Sequence, residues 1–113
     1  MLKTSRFLLV ASLLVVACGG GVGQEGTAVG GPCAGNVDCA STSRCETGGD
    51  FPGGMCVANC AGDADCPVGA RCISKKEGIC VPSCTANVDC RANYTCKDDS
   101  ARSGGKVLVC RKD

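Results

Sequence analysis

Cysteine is the residue in this chain with the most chemistry open to it. Thirteen of the 113 residues are cysteine, and there is no histidine. A thiol can act as a nucleophile, bind a soft metal or oxidise to a disulfide. Nucleophilic use needs a base, and without histidine neither a Ser-His-Asp nor a Cys-His arrangement can be assembled. No C-x-x-C redox motif is present. Structural zinc sites pair cysteines as C-x2–4-C, often with histidine. Here only Cys56–Cys60 and Cys80–Cys84 are that close. Twelve cysteines fall instead into three sets of four: Cys33, Cys39, Cys45, Cys56; Cys60, Cys66, Cys72, Cys80; and Cys84, Cys90, Cys96, Cys110. Density of this kind in a short chain reads as a disulfide framework made in an oxidising compartment. No catalytic residue, cofactor or metal is expected. The adjacent carboxylates Asp98-Asp99 read as part of a solvated polar loop.

The thirteenth cysteine, Cys18, stands apart. Lys3 and Arg6 precede an apolar run from Phe7 to Ala17. That run is too short to span a hydrocarbon core of roughly 30 Å as a helix. It ends Val15-Val16-Ala17-Cys18, which resembles the bacterial lipobox. Val15 and Ala17 would also suit ordinary signal-peptidase cleavage, but the odd cysteine count favours a use that consumes Cys18. The resemblance implies a signal peptide over 1–17 and acyl chains, palmitate among them, on Cys18. The partner it implies is a membrane, held through that lipid. Gly19 in place of an aspartate implies an outer-membrane or surface destination. Residues 18–32 then read as the lipidated cysteine and a disordered glycine-rich tether. The match of Gly21–Gly26 to G-x-G-x-x-G is a decoy, because no strand precedes it and no helix follows.

The three cysteine sets are copies of one unit, over 33–59, 60–83 and 84–113. Each opens with five residues, then five more, then a variable gap of ten, seven or thirteen. An Asx residue and an aspartate precede each second cysteine: Asn36 and Asp38, Asp63 and Asp65, Asn87 and Asp89. Such side chains accept hydrogen bonds from backbone N–H groups two residues on and close tight turns. Two oxygen-bearing side chains per unit are too few for calcium. Ile73 and Ile79 are symmetric about Lys76, which predicts a hairpin with its turn at Lys75–Gly78. Val107–Val109 would be a returning strand after Ser103-Gly104-Gly105. Val57-Ala58-Asn59 and Val81-Pro82-Ser83 read as short links between units. The predicted fold is small and disulfide-rich: three tandem four-cysteine repeats with short β-hairpins and little regular secondary structure. Between Cys33 and Cys110 the large apolar residues are few (Phe51, Met55, Ile73, Ile79, Tyr94, Leu108, with some valines), too few for an ordinary core.

The spacing C-x2-[Asn/Asp]-x-Asp-C-x5-C-x7–13-C-x3-C is similar to the Dickkopf N-terminal type of cysteine-rich repeat. It also resembles short cysteine-rich repeats of lipoproteins in Gram-negative bacteria. In animals the Dickkopf resemblance implies a secreted antagonist of a signalling receptor; the lipobox implies a bacterial chain, so that partner is not carried over. Four cysteines allow three pairings. Analogy with small extracellular modules implies first-to-third and second-to-fourth, whereas Cys72 facing Cys80 in a hairpin favours third-to-fourth; both stay open.

Formal net charge is +1, and removing Lys3 and Arg6 brings it to about −1. With no clustered basic face and few aromatic residues, no nucleic-acid partner is expected. The expected function is a lipid-anchored binding module for an unidentified protein or glycan. Its contacts would come from the variable segments Glu46–Gly54, Ser74–Gly78 and Lys97–Lys106. The alternatives are a small protease inhibitor, with Lys75-Lys76 as bait, and a purely structural envelope component.

Overall fold

The computed structural model describes residues 21–113. The predicted signal peptide, the lipobox and Cys18 lie outside the described residues. Each unit is built the same way. A five-residue loop closes into a short 3-10 turn, at Asn36–Asp38, Asp63–Asp65 and Asn87–Asp89. An antiparallel hairpin follows. The strands are β1 (Arg44–Glu46) with β2 (Met55–Asn59), β3 (Ala70–Ile73) with β4 (Ile79–Pro82), and β5 (Tyr94–Ser100) with β6 (Lys106–Lys112). Ile73 pairs with Ile79, the register that their symmetry predicts. No helix among the described residues is long and apolar enough to cross a membrane. The fold is small and disulfide-rich, with six disulfides and little regular structure.

The units are joined more tightly than the sequence reading suggests. Val57-Ala58-Asn59 and Val81-Pro82-Ser83 are not loose links. Ala58 pairs with Cys80 and Asn59 with Ile79, giving one four-stranded sheet in the order β1-β2-β4-β3. β5 and β6 form a separate ribbon, tied on by bridges between Ile73 and Ala101 and between Ser83 and Val109. The few large apolar residues gather in one place. Phe51 and Met55 from the first unit pack with Ile73, Ile79 and Val81 from the second and Tyr94 and Val109 from the third. This cluster is shared by all three units, and two smaller ones surround the disulfides of the second unit, with Val29 and Ala70, and of the first. Leu108, which the sequence assigns to the apolar set, stays 45% exposed.

The glycine-rich stretch is not a free tether where it is described. Val22 bridges to Val29 in parallel, and Val29 is 1% exposed. Gly30 donates to the Cys56 carbonyl, and Cys56 donates back to Gly31. Ala40 donates to Thr27, and the Gln24 side chain to Asp89. The glycines serve close approach here. A Cβ on Gly30 would overlap the Pro82 ring, and its φ of +99° suits glycine.

The third variable segment is also misread as a loop. Lys97–Ser100 and Lys106 are strand, leaving only residues 101–105 as the turn. Asp98 and Asp99 therefore stand on β5. That turn docks on the middle hairpin, where Ser74 donates to the Ser100 carbonyl and Arg102 to that of Cys72.

Candidate functional site

The disulfides pair first with third and second with fourth in every unit: Cys33–Cys45 and Cys39–Cys56, Cys60–Cys72 and Cys66–Cys80, Cys84–Cys96 and Cys90–Cys110. Cys72 and Cys80 do sit opposite each other on β3 and β4, as Cys45 and Cys56 do on β1 and β2. They do not bond. Each takes instead a cysteine of the loop lying across them, so the pair clamps loop to hairpin. Third-to-fourth pairing would leave the loop unattached. The sulfurs of Cys33, Cys39 and Cys56 lie within 4.8 Å of one another, and the other two units match. This is the contact of two stacked disulfides; a metal would need thiolates there.

The six Asx and aspartate residues all lie in the 3-10 turns, in two roles that differ from the expected one. Neither accepts from a residue two positions on. Asn36, Asp63 and Asn87 each accept, through Oδ1, from the N–H of the third cysteine nine residues later, at 2.9, 2.8 and 2.9 Å. They pin the turn to the first strand of the hairpin. Asp38, Asp65 and Asp89 reach backwards, accepting from Ala34, Ala61 and Thr85, each at or below 2.9 Å. Asp63 also holds the Arg71 guanidinium at 2.9 Å.

Hydrogen bonds from Ala34 and Gly35 hold the Asp38 carboxyl below the ordinary aspartate value of 3.8. Thr85 and Ala86 do the same for Asp89. A depressed folded-state pKa stabilises the fold above the unfolded value and loses that contribution as pH falls through the folded one. The loops should therefore hold at neutral pH and loosen only below about pH 4. Protection of the Ala34, Gly35, Thr85 and Ala86 amides, relative to their intrinsic exchange rates at each pH, should fall there in the native protein. In Asp38→Asn and Asp89→Asn the acid-dependent part should shrink; an unchanged acid slope would sink the assignment.

A groove of about 320 Å³ opens where the three units meet. Every variable segment contributes: Asp50 and Phe51 from the first, Lys75 from the second, Lys97 and Asp99 from the third. Ile73, Val81 and Tyr94 form its apolar floor, and Arg111, Lys112 and Asp113 complete the rim. Several rim charges already have partners. Lys75 lies 3.6 Å from Asp50, and Arg111 lies 3.3 Å from Asp99. The side chains of Lys97 and Lys112 are exposed and take part in no ion pair among the described residues.

Two features that sequence reasoning missed shape this junction. Arg91 lies over the Tyr94 ring at 4.7 Å and donates to the Gly54 carbonyl, while the Tyr94 hydroxyl donates to Pro52 at 3.0 Å. Burial pushes the Tyr94 phenol above its ordinary pKa. Gly54 and Gly78, each two residues before a fourth cysteine, press against the carbonyls of Cys33 and Cys60. The repeated Gly-x-Cys was the available signal. Lys75-Lys76 is not an extended bait. Lys76 has φ 52° and ψ 36°, and its ammonium lies 3.9 Å from Glu46.

No family model matches the chain, and neither the curated proteins nor the solved structures yield a match.

Proposed function

We propose that this chain is an exported, lipid-anchored envelope protein, a bacterial cysteine-rich lipoprotein with Dickkopf N-terminal-like repeats. In this reading it loses residues 1–17, carries acyl chains on Cys18 and binds a protein or glycan without catalysis. The anchor rests on the Val15–Cys18 motif and on Cys18 being the cysteine outside the six disulfides. The binding role rests on one observation: segments of three different lengths converge on a single groove. Lys97 and Lys112, with no ion-pair partner among the described residues, suit acidic groups on that ligand. The inhibitor alternative is weaker, because the turned backbone at Lys76 offers a protease cleft no extended strand.

The experiment compares native protein with a Lys97→Glu/Lys112→Glu double variant, both extracted from membranes. Intact mass should show acylated Cys18 in each. Retention of an envelope protein or glycan on the native form should fall at least about tenfold on the variant. Point changes are preferable to loop replacement, because the loops also hold the units together. Equal retention by both forms would remove the groove from consideration.

A further inference from the structure

We infer that the side of the domain carrying residues 21–31 rests on the bilayer, with Val68 and Val88 entering the lipid interface beside the anchor. The inference builds on the lipid-anchor reading and adds an orientation to it. Only Gly19 and Gly20 separate Cys18 from Gly21. Three residue steps reach at most about 11 Å. From Gly21 onward the chain is bound to the body, through the Val22–Val29 bridge and the backbone bonds of Gly30 and Gly31 to Cys56. A lipid on Cys18 would therefore hold the domain close and in one attitude, where a free glycine tether would let it tumble.

Three valines near that point are almost fully exposed. Val68 is 99% exposed and adjoins Gly69, which faces the Val22 side chain. Val88 is 84% exposed and adjoins Asp89, whose carbonyl accepts from Gln24. Val37, 94% exposed, lies three residues from Ala40, which donates to Thr27. Single exposed valines are ordinary on soluble proteins. Here all three lie near the one segment that leads to the anchor, Val37 and Val88 in the 3-10 turns and Val68 in the stretch that follows Cys66. Apolar side chains on rigid loops lose little conformational freedom on entering an interface, and they add to the hold of acyl chains. The aspartates of two of these loops are turned to their own backbone, Asp38 to Ala34 and Gly35 and Asp89 to Thr85 and Ala86.

The protein contains no tryptophan, so one introduced indole reports its own surroundings. The variants are Val68→Trp, Val88→Trp and, as a distant reference, Ser103→Trp. Ser103 sits on the turn docked at the Ser74 end of β3, about 16 Å along the strand from Gly69. Each is purified from membranes, checked by unreduced mass for acylation and six disulfides, and placed in phosphatidylcholine vesicles with brominated acyl chains. Quenching should be roughly threefold stronger at positions 68 and 88 than at 103. Equal quenching at all three positions, in acylated protein that floats with the vesicles, would overturn the orientation while leaving the anchor intact. It would leave this face to a protein partner. Protein that carries no acyl mass and does not float would overturn both.

Discussion

Alanine in place of Gly54 or Gly78 should prevent the affected unit from oxidising to its native pairs. At each position a Cβ would overlap the carbonyl oxygen of the unit's first cysteine, Cys33 or Cys60. The obstacle is backbone that a disulfide already holds, so it cannot swing aside as a flexible side chain would. The conformation adds to the cost, with φ at +72° for Gly54 and +110° for Gly78, a region that L-residues avoid. Clash and strain together should cost roughly 3–5 kcal/mol, a large share of the stability of a domain this small. The measurement is the yield of the fully oxidised species after refolding, with thiol titration of the remainder. Two other glycines supply the scale. Gly48 has φ +104° but open space, so alanine there should cost only about 1 kcal/mol. Gly62 is extended and unobstructed, and its replacement should be nearly silent. Native yield from Gly78→Ala would show that the close approach is not a constraint on folding.

Tyr94→Ala should destabilise the whole domain, including the first unit, by about 3–5 kcal/mol. Tyr94 is 5% exposed and packs in the cluster that holds Phe51 and Met55. Its hydroxyl bonds Pro52, and its ring supports Arg91, which in turn holds Gly54. Truncation would leave a cavity and strand the guanidinium without its aromatic face. Tyr94→Phe removes only the hydroxyl and should cost about 1 kcal/mol. Denaturant unfolding without reductant gives the magnitudes. Amide exchange gives the test of a shared core: in Tyr94→Ala the N–H groups of Phe51 and Gly54 should exchange faster, forty residues or so from the change. Faster exchange confined to β5 and β6 would mean that the units are independent.

Much of the architecture is legible in the cysteines alone. Equal spacing around Cys39, Cys66 and Cys90 marks the repeat, and Ile73 and Ile79 about Lys76 set the middle register. What local reading misses depends on distant partners. Glycine reads as slack in residues 21–31 because composition does not reveal the Pro82 ring or the Cys56 backbone that those glycines approach. The aspartates read as turn formers of the usual forward kind. Yet the nine-residue step from Asn36, Asp63 and Asn87 to Cys45, Cys72 and Cys96 is constant in the sequence, and it marks the bond that the structure contains. Val57 and Val81 each follow a fourth cysteine and are almost wholly buried. Their shared position distinguishes a strand from a link. The groove was not legible, since the segments that line it differ in both length and composition.

The paired crossings of the disulfides also decide how the domain responds to being cut. Within each unit the two bridges overlap, so a chain nicked anywhere from Cys33 to Cys56, Cys60 to Cys80 or Cys84 to Cys110 remains one covalent molecule. Between Cys33 and Cys110, a single cut parts the chain only if it falls between Cys56 and Cys60 or between Cys80 and Cys84. Those are the stretches that the sheet shields, with Val57 fully buried, Val81 2% exposed and Ala58 paired with Cys80. Peptidases can reach the exposed turns, but a cut there releases nothing, while the bonds whose loss would dismantle the protein lie where an extended substrate strand cannot be drawn out.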